Sequence, residues 1–457
     1  MPVATTHHGP ILGAIADDFT GATDLAGMLV KQGLRTLQSI GIPDAAHEAS
    51  FLQGLDAVVI ALKTRTVPAS EAVEESLQAL AWCQRQGCSR FVSKICSTFD
   101  STASGNIGPV ADALMAALGT DLSVVCPAFP ANGRTVYQGH LFVGDTLLEQ
   151  TGMRDHPLTP MRDSNLVRVL QAQSRARVGL LAWPTVAAGP QAVREALVRL
   201  HAQGVRLVIA DALKDADLLS LGLGAEPWPL AVAGSGLALG LAAQVRAVRS
   251  AGAGVPENEG PGAATGNANL ALADWPRVQG AAAILAGSCS SATQAQVAHL
   301  RALRPAWRLD PVVALADPEA AVQAALAWAL PQLGDQPILV YSTAEPSAVR
   351  AIQSEHGAQA AGTAIEQVLA RIARALVDAG VRRLIVAGGE TSGAVVKALG
   401  VRWLRIGPEI APGVPWTVAL PVNGAVGGGL REPLALALKS GNFGGPDFFV
   451  EAWGHLP

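Results

Sequence analysis

Short apolar runs of strand length alternate along this chain with longer stretches of helical periodicity, and that alternation leaves few folds open. In the first half, residues 11–16, 56–62, 90–95 and 122–126 are strand-like. Helical patterns begin after the first of them and recur at 71–86 and 107–118. Such a βαβα order implies a mainly parallel sheet with helices on both faces. Residues 178–181 and 207–210 add further strands. After residue 273 the alternation resumes with 281–286, a helix from about 292, a strand at 338–341, helices through 379, and a strand at 383–387.

At 457 residues the chain exceeds what one hydrophobic core usually serves. Residues 251–273, rich in Gly, Ala, Asn and Pro and without apolar periodicity, read as a linker between domains at 1–250 and 274–457. The expected class is therefore α/β, with two α/β domains, each a mainly parallel sheet flanked by helices, and an active site in the cleft between them.

The net charge of −4 offers no footprint for DNA or RNA. The start of the chain lacks the basic region and long apolar core of a secretory signal, so a cytoplasmic protein is expected. The uncharged stretch at 229–245 is interrupted by Gly234, Ser235 and Gly236, where a strand would turn into a helix, so it reads as core rather than membrane. Five cysteines without CxxC or paired Cys/His spacing speak against a disulfide framework and a zinc site.

Four strands of the first half lead into polar loops. Asp17 and Asp18 follow the first, ahead of a helix with Thr20 placed to cap its start and Gly33 its end. Lys63 to Thr66 follow the next, Lys94 through Asp100, Ser101 and Asn106 the third, and Asn132 to Thr135 the fourth. In a parallel sheet these ends share one edge, where α/β folds bind ligands. Carboxylates suit sugar hydroxyls, and Lys and Arg suit a carboxylate or phosphate, so the set suggests a polyhydroxy acid. Each loop also has a plainer reading, since Asp, Ser and Thr after strands commonly cap helices, and Asp24 in a first turn favours the helix dipole.

In the second half, residues 384–393 run from a strand into Gly388, Gly389, Glu390 and Thr391 and then a helix. Such a turn offers backbone N–H groups and a positive helix end to phosphate. The turns around Ser288 and Ser290 and around Gly441 are similar, and three of them make a nucleotide pocket. No Walker A, GxSxG or HExxH pattern is present. The near-match to a dinucleotide fingerprint at Gly234 to Gly240 misses its last glycine by one position.

Together the stretches IADDFTGATDLA, ALKTRT, KICSTFDSTASGNIGP, NGRTVYQGHLF, LAGSCS, IVAGGETSG and LALKSGNFGG resemble the two-domain, ATP-dependent four-carbon acid sugar kinases, nearly end to end. Within that family the KICSTFDSTASGNIGP and NGRTVYQGHLF stretches look most like members acting on 3-oxo-tetronate, with kinases of D-threonate or D-erythronate as alternatives. The resemblance implies an acid-sugar domain, an ATP domain and phosphate transfer to the C4 hydroxyl. It places ATP at Ser288, Gly388, Gly389, Glu390, Thr391 and Gly441, with Ser290 in the same turn as Ser288.

On this reading Asp18 or Asp17 is the base or orients the hydroxyl, and Lys94, Arg134 and Arg65 hold the substrate carboxylate. Asp24, Asp100, Ser101 and Asn106 complete the sugar site. Mg²⁺ bridges the phosphates, and Glu390 either meets it through water or orients its turn. The expected partners are the acid sugar and ATP, with no nucleic acid and no membrane, and a homodimer stays open. Two other classes stand beside this one: a nucleotide-dependent oxidoreductase using Gly234 to Gly240, and a two-domain solute-binding protein.

Overall fold

A computed structural model describes residues 9–43, 52–156, 158–253, 275–342, 358–421 and 430–456. The chain divides into two compact units, Met1–Leu270 and Ala271–Pro457.

The first unit contains β1 (Leu12–Ala16), β2 (Thr36–Ile40), β3 (Ala57–Ala61), β4 (Arg90–Lys94), β5 (Ser123–Cys126), β6 (Arg134–Tyr137), β7 (His140–Val143), β8 (Thr146–Leu147), β9 (Arg177–Leu181), β10 (Val205–Ala210) and β11 (Leu230–Ala233). Eight of these form a parallel array in the order β2-β3-β1-β4-β11-β5-β10-β9. Every residue of LGAIA in β1 and AVVIA in β3 is buried, as strands covered on both faces require. The register sets the site. Ala16 lies opposite both Ala61 and Lys94, and Ala233 lies opposite both Lys94 and Cys126. The carboxyl ends of five central strands are therefore flush, and the polar loops start at one level.

The helix after β1 is Phe19–Lys31, and its cap differs from expectation. Asp18, not Thr20, is the N-cap, accepting from the Gly21 N–H at 3.0 Å, while the Thr20 hydroxyl donates to the other Asp18 oxygen at 2.8 Å. Asp24 sits in the second turn of this helix and is buried, so it does not serve the first-turn dipole. Strand β2 and the small antiparallel sheet β6-β7-β8 were not anticipated. The hairpin tip of that sheet is tied down by Asp211, just beyond β10. Its carboxylate accepts from the N–H groups of Gln138 (2.8 Å), Gly139 (2.9 Å) and Trp183 (2.9 Å).

The second unit contains β12 (Ala281–Ala286), β13 (Ala306–Arg308), β14 (Ile338–Tyr341), β15 (Val381–Ala387), β16 (Trp403–Ala411), β17 (Val414–Ala419) and β18 (Leu434–Lys439). Their order is β13-β14-β12-β15-β18-β17-β16, parallel as far as β18 and antiparallel beyond it. Ala387 lies opposite both Ala286 and Lys439, so three strand ends are again flush. On one face of the sheet Trp416 of β17 joins a core with Phe448 and Phe449, and its indole N–H donates to the Ala452 carbonyl at 2.8 Å.

The helix Ala238–Ala253 runs through the first three residues assigned to the linker, which shortens it from that side. The rest of that segment lies outside the described residues. Among the described residues no helix is long and apolar enough to cross a membrane. The fingerprint-like stretch has a packing explanation at its last glycine. A Cβ on Gly222 would come within 2.2 Å of the Gly240 Cα, so the helices Asp215–Gly224 and Ala238–Ala253 touch backbone to backbone there.

Candidate functional site

In the first unit the flush strand ends assemble an acidic cluster around one guanidinium. Arg65 donates from Nε to Asp17 Oδ2 at 3.0 Å and from Nη2 to Asp17 Oδ1 at 2.7 Å and Asp18 Oδ1 at 2.6 Å. Its Nη1 lies 3.9 Å from Asp100 Oδ2. The loops are stitched through the backbone, since Thr64 and Arg65 both donate their N–H to the Asp17 carbonyl, at 2.9 and 3.1 Å. Asn106 adds a side-chain clamp, donating to the carbonyls of Thr64 (2.7 Å) and Val67 (3.2 Å).

The two adjacent carboxyls are shifted in opposite directions. Burial raises Asp17 above the usual carboxylate range, and Arg65 offsets it only in part. Burial presses Asp18 the same way, but Arg65, Lys94 and the hydrogen bonds from Thr20 and Gly21 outweigh it and hold Asp18 below that range. Arg65 is itself half-buried, and the two aspartates keep it firmly charged. Lys94 is buried, donates to the Ile95 carbonyl at 2.8 Å, and lies where a Cβ on Gly21 would come within 2.8 Å of its Nζ. Only glycine fits there without moving the lysine.

The third loop carries two non-glycine residues in the left-handed region in succession, Phe99 (φ 65°) and Asp100 (φ 45°). Backbone held in this way is a recurring mark of functional loops. It turns Asp100 toward Arg65 while Thr98 donates to the other Asp100 oxygen at 2.7 Å. Arg134, on the fourth loop, has its pKa lowered by burial against the opposing pull of Cys96, Asp24 and Asp100, which ties it to the same cluster. Asp17, Asp18, Asp24, Asp100, Lys94, Arg65 and Arg134 thus gather in one region. Ser101 and Asn106 stand behind it. The Ser101 hydroxyl accepts from Gln173 at 2.9 Å, and Asn106 holds the Arg65 loop. Arg65 is not a free cation awaiting an anion, because Asp17 and Asp18 already occupy two of its nitrogens.

In the second unit three glycine turns meet at the flush ends of β12, β15 and β18. Gly388 is the N-cap of the helix Gly389–Ala398 with φ 123°, and its N–H donates to the Lys439 carbonyl at 2.8 Å. The positive φ therefore falls on Gly388. The N–H groups of Gly287 and Ser288 donate to the Ala387 carbonyl at 3.0 and 3.2 Å. Ser290 donates to the Gly441 carbonyl at 2.6 Å, and a Cβ on Gly441 would fall 2.4 Å from Ser288 Oγ. Glu390 and Thr391 lie in the first turn of the helix, Thr391 buried and Glu390 half-buried. Three turns with little side-chain bulk, two of them at helix starts, form a cradle suited to phosphate.

Sequence reasoning missed Gln173, which binds Ser101 and also caps the helix Ile107–Leu118 by accepting from the Gly108 N–H at 3.0 Å. It also missed Thr293 among the glycine turns, and it read Lys439 only as the start of a polar turn, without a role. The signal for Lys439 was present, since a lysine closing an otherwise apolar strand has no solvent to reach.

Comparison with known proteins matches both units. Residues 12–241 match the family described as a sugar-binding N-terminal domain, and residues 283–449 one described as a nucleotide-binding C-terminal domain. A 3-oxo-tetronate kinase of Pseudomonas fluorescens is 56% identical over 98% of this chain and 97% of its own, and one of Cupriavidus necator is 53% identical over 99% and 98%. A crystal structure from Salmonella typhimurium LT2, provisionally described as a tRNA synthase, is 43% identical with a TM-score of 0.79, covering 98% of this chain and 99% of that one. The chain belongs to the family of 3-oxo-tetronate kinases, with a sugar-binding domain followed by a nucleotide-binding domain.

Proposed function

We propose that this protein is an ATP-dependent kinase that phosphorylates the C4 hydroxyl of 3-oxo-tetronate, giving 3-oxo-tetronate 4-phosphate. The observation that carries the reading is the pairing of Asp17 and Asp18 on Arg65 at the flush end of a parallel sheet, in a chain 56% identical to a 3-oxo-tetronate kinase.

Phosphoryl transfer to an alcohol calls for an oriented hydroxyl, a group to accept its proton and charge neutralisation. The acidic cluster supports the first two. Asp18 accepts from Gly21, Thr20 and Arg65, which leaves little capacity for a ligand. Asp17 accepts only from Arg65 among the described residues, and its raised pKa suits a proton acceptor. We therefore assign the base to Asp17, with Asp18 as the fixed charge beside it. Lys94 and Arg134 are assigned to the substrate carboxylate, Asp24 and Asp100 to its hydroxyls, and Ser101 and Asn106 to support of their loops.

The nucleotide is assigned to the turns bearing Ser288, Ser290, Gly388, Gly389, Glu390, Thr391 and Gly441. The fit rests on the cradle itself, in which added Cβ atoms would collide with Ser288 and Thr391. Among the described residues no three His, Cys, Asp or Glu side chains are grouped to hold a metal, and Mg²⁺ commonly arrives on phosphate oxygens with few protein ligands. Glu390 is the carboxylate of that turn. Bound Mg²⁺ would neutralise phosphate charge. Cytoplasmic residence is part of the same proposal.

The test is ADP release with Mg²⁺ present across 3-oxo-tetronate, D-erythronate, L-threonate and D-threonate. Preference for 3-oxo-tetronate is expected. No stimulation by any of them would overturn the kinase, and preference for D-threonate or D-erythronate would overturn the substrate alone.

A further inference from the structure

Among the described residues of the second unit, Lys439, the last residue of β18, is a fully buried charge. Its Nζ donates to the carbonyls of Ser440 (2.9 Å), Gly441 (3.0 Å) and Phe443 (3.1 Å) and to Thr293 Oγ1 (3.2 Å). An ammonium has three protons, so four acceptors consume its whole donor capacity inside the protein. It cannot also grip a ligand directly. The Gly441 carbonyl is the focus of the arrangement, because it also receives Ser290 Oγ at 2.6 Å and Thr293 Oγ1 at 2.9 Å.

Hydrogen bonds to neutral oxygens do not cancel the charge. Burying an ion usually requires a counter-ion, and among the described residues Lys439 has none. The nearest contacts are uncharged: Thr293 on the helix Ser291–Arg301, Ala387 opposite it on β15, and the Phe448 ring 6.0 Å away. Those elements and their neighbours carry His299 (paired with Asp447 at 3.4 Å), Arg301, Arg382, Arg383, Glu390, Lys397 and Glu451. None of these is a cause of the shift in Lys439, whose pKa burial alone pulls down to about 7. Lys439 is thus a buried cation without a carboxylate partner among the described residues, beneath three turns with little side-chain bulk.

We propose that Lys439 is a positioning residue for the nucleotide: its ammonium fixes the turn at residues 440–443 through the Gly441 carbonyl, and its missing counter-charge is supplied by the nucleotide polyphosphate. This rests on the assignment of the glycine turns to ATP and adds to it a residue that acts from beneath the site. A bound polyanion favours the charged lysine, so ATP binding at a pH above about 7 draws a proton from solvent.

The experiment is calorimetry of MgATP binding to the full-length protein between pH 7 and 9, in buffers of different ionisation enthalpy, on wild type and Lys439→Met. Wild type is expected to take up a fraction of a proton per ATP. Lys439→Met, checked for folding by circular dichroism, is expected to lose that uptake and to bind ATP at least about tenfold more weakly. Should the methionine variant not fold, Thr293→Val, which removes one acceptor of the ammonium and one donor to the Gly441 carbonyl, is expected to weaken ATP binding and retain the uptake. ATP binding by wild type without proton uptake overturns the proposal, as does unchanged affinity in folded Lys439→Met, and both leave the nucleotide assignment standing. Absence of ATP binding by wild type overturns the assignment and this inference together.

Discussion

Arg65 grips the Asp17 carboxylate through two parallel hydrogen bonds, Nε to Oδ2 at 3.0 Å and Nη2 to Oδ1 at 2.7 Å. A forked pair of this kind fixes orientation as well as distance. Because the same Nη2 reaches Asp18 at 2.6 Å, one cation bridges two adjacent carboxylates whose pKa values are shifted in opposite directions, Asp17 up by burial and Asp18 down by its additional partners. The consequences are measurable.

Asp17→Asn is expected to lower kcat by about a hundredfold or more, the usual loss for a positioned base, and to leave ATP affinity unchanged. Asp18→Asn separates charge from capping, since asparagine is as good an N-cap as aspartate. Steady-state kinetics on both variants, with ATP affinity by calorimetry, checks the division of roles. Near-normal turnover in Asp17→Asn would move the base to Asp18.

The activity of the wild type should show an acid limb. Asp17 must be deprotonated to accept a proton, and its pKa is raised, so kcat/KM for the acid sugar is expected to rise with pH through a midpoint above the ordinary carboxylate value of 3.8. The residual activity of Asp17→Asn should lack that limb. Stability follows the opposite sign for the two residues. The Asp17 contribution is present below 3.8 and lost as pH rises through its raised pKa, whereas that of Asp18 is present above 3.8 and lost as pH falls through its lowered one. Denaturant titrations of Asp18→Asn against wild type should therefore converge as the solution is acidified.

Gly388→Ala tests the phosphate cradle. At φ 123° an alanine is strained by about 1–3 kcal/mol, and its Cβ would sit 3.2 Å from the Ser288 nitrogen. ATP affinity is expected to fall by roughly tenfold, which is about 1.4 kcal/mol, while acid-sugar binding is spared. Calorimetry with each ligand separately gives the answer, and undiminished ATP affinity would make this turn a structural connection only.

Asn106→Leu removes the clamp on the carbonyls of Thr64 and Val67. Leaving such groups unpaired costs about 1 to 3 kcal/mol, and the Arg65 loop is expected to loosen, raising KM for the acid sugar more than KM for ATP. Equal effects on both would make Asn106 a contributor to stability alone.

The parts of this architecture that were legible in the sequence share a physical cause. Strands such as β1, β3 and β14 are buried on both faces and so read as unbroken apolar runs, and the loops after β1 and β3 stand out by contrast. Strand β2 escaped because TLQSI carries a fully buried Gln38, which the pattern alone presents as solvent-facing. The hairpin β6-β7 escaped because its strands are four residues long and its tip is held by Asp211, 72 residues from Gly139. The polar loops could be assigned to one edge without coordinates, since parallel order dictates it. The division of labour within them could not, because whether Arg65 meets a ligand or its own aspartates depends on loop geometry.

The most direct measurement is the position of the phosphate in the product, read by proton-coupled ³¹P NMR after incubating the protein with ATP, Mg²⁺ and 3-oxo-tetronate. The account predicts a new phosphate monoester whose phosphorus is split into a triplet by the two C4 methylene protons. A doublet from the single C2 proton, or no new monoester at all, would contradict it.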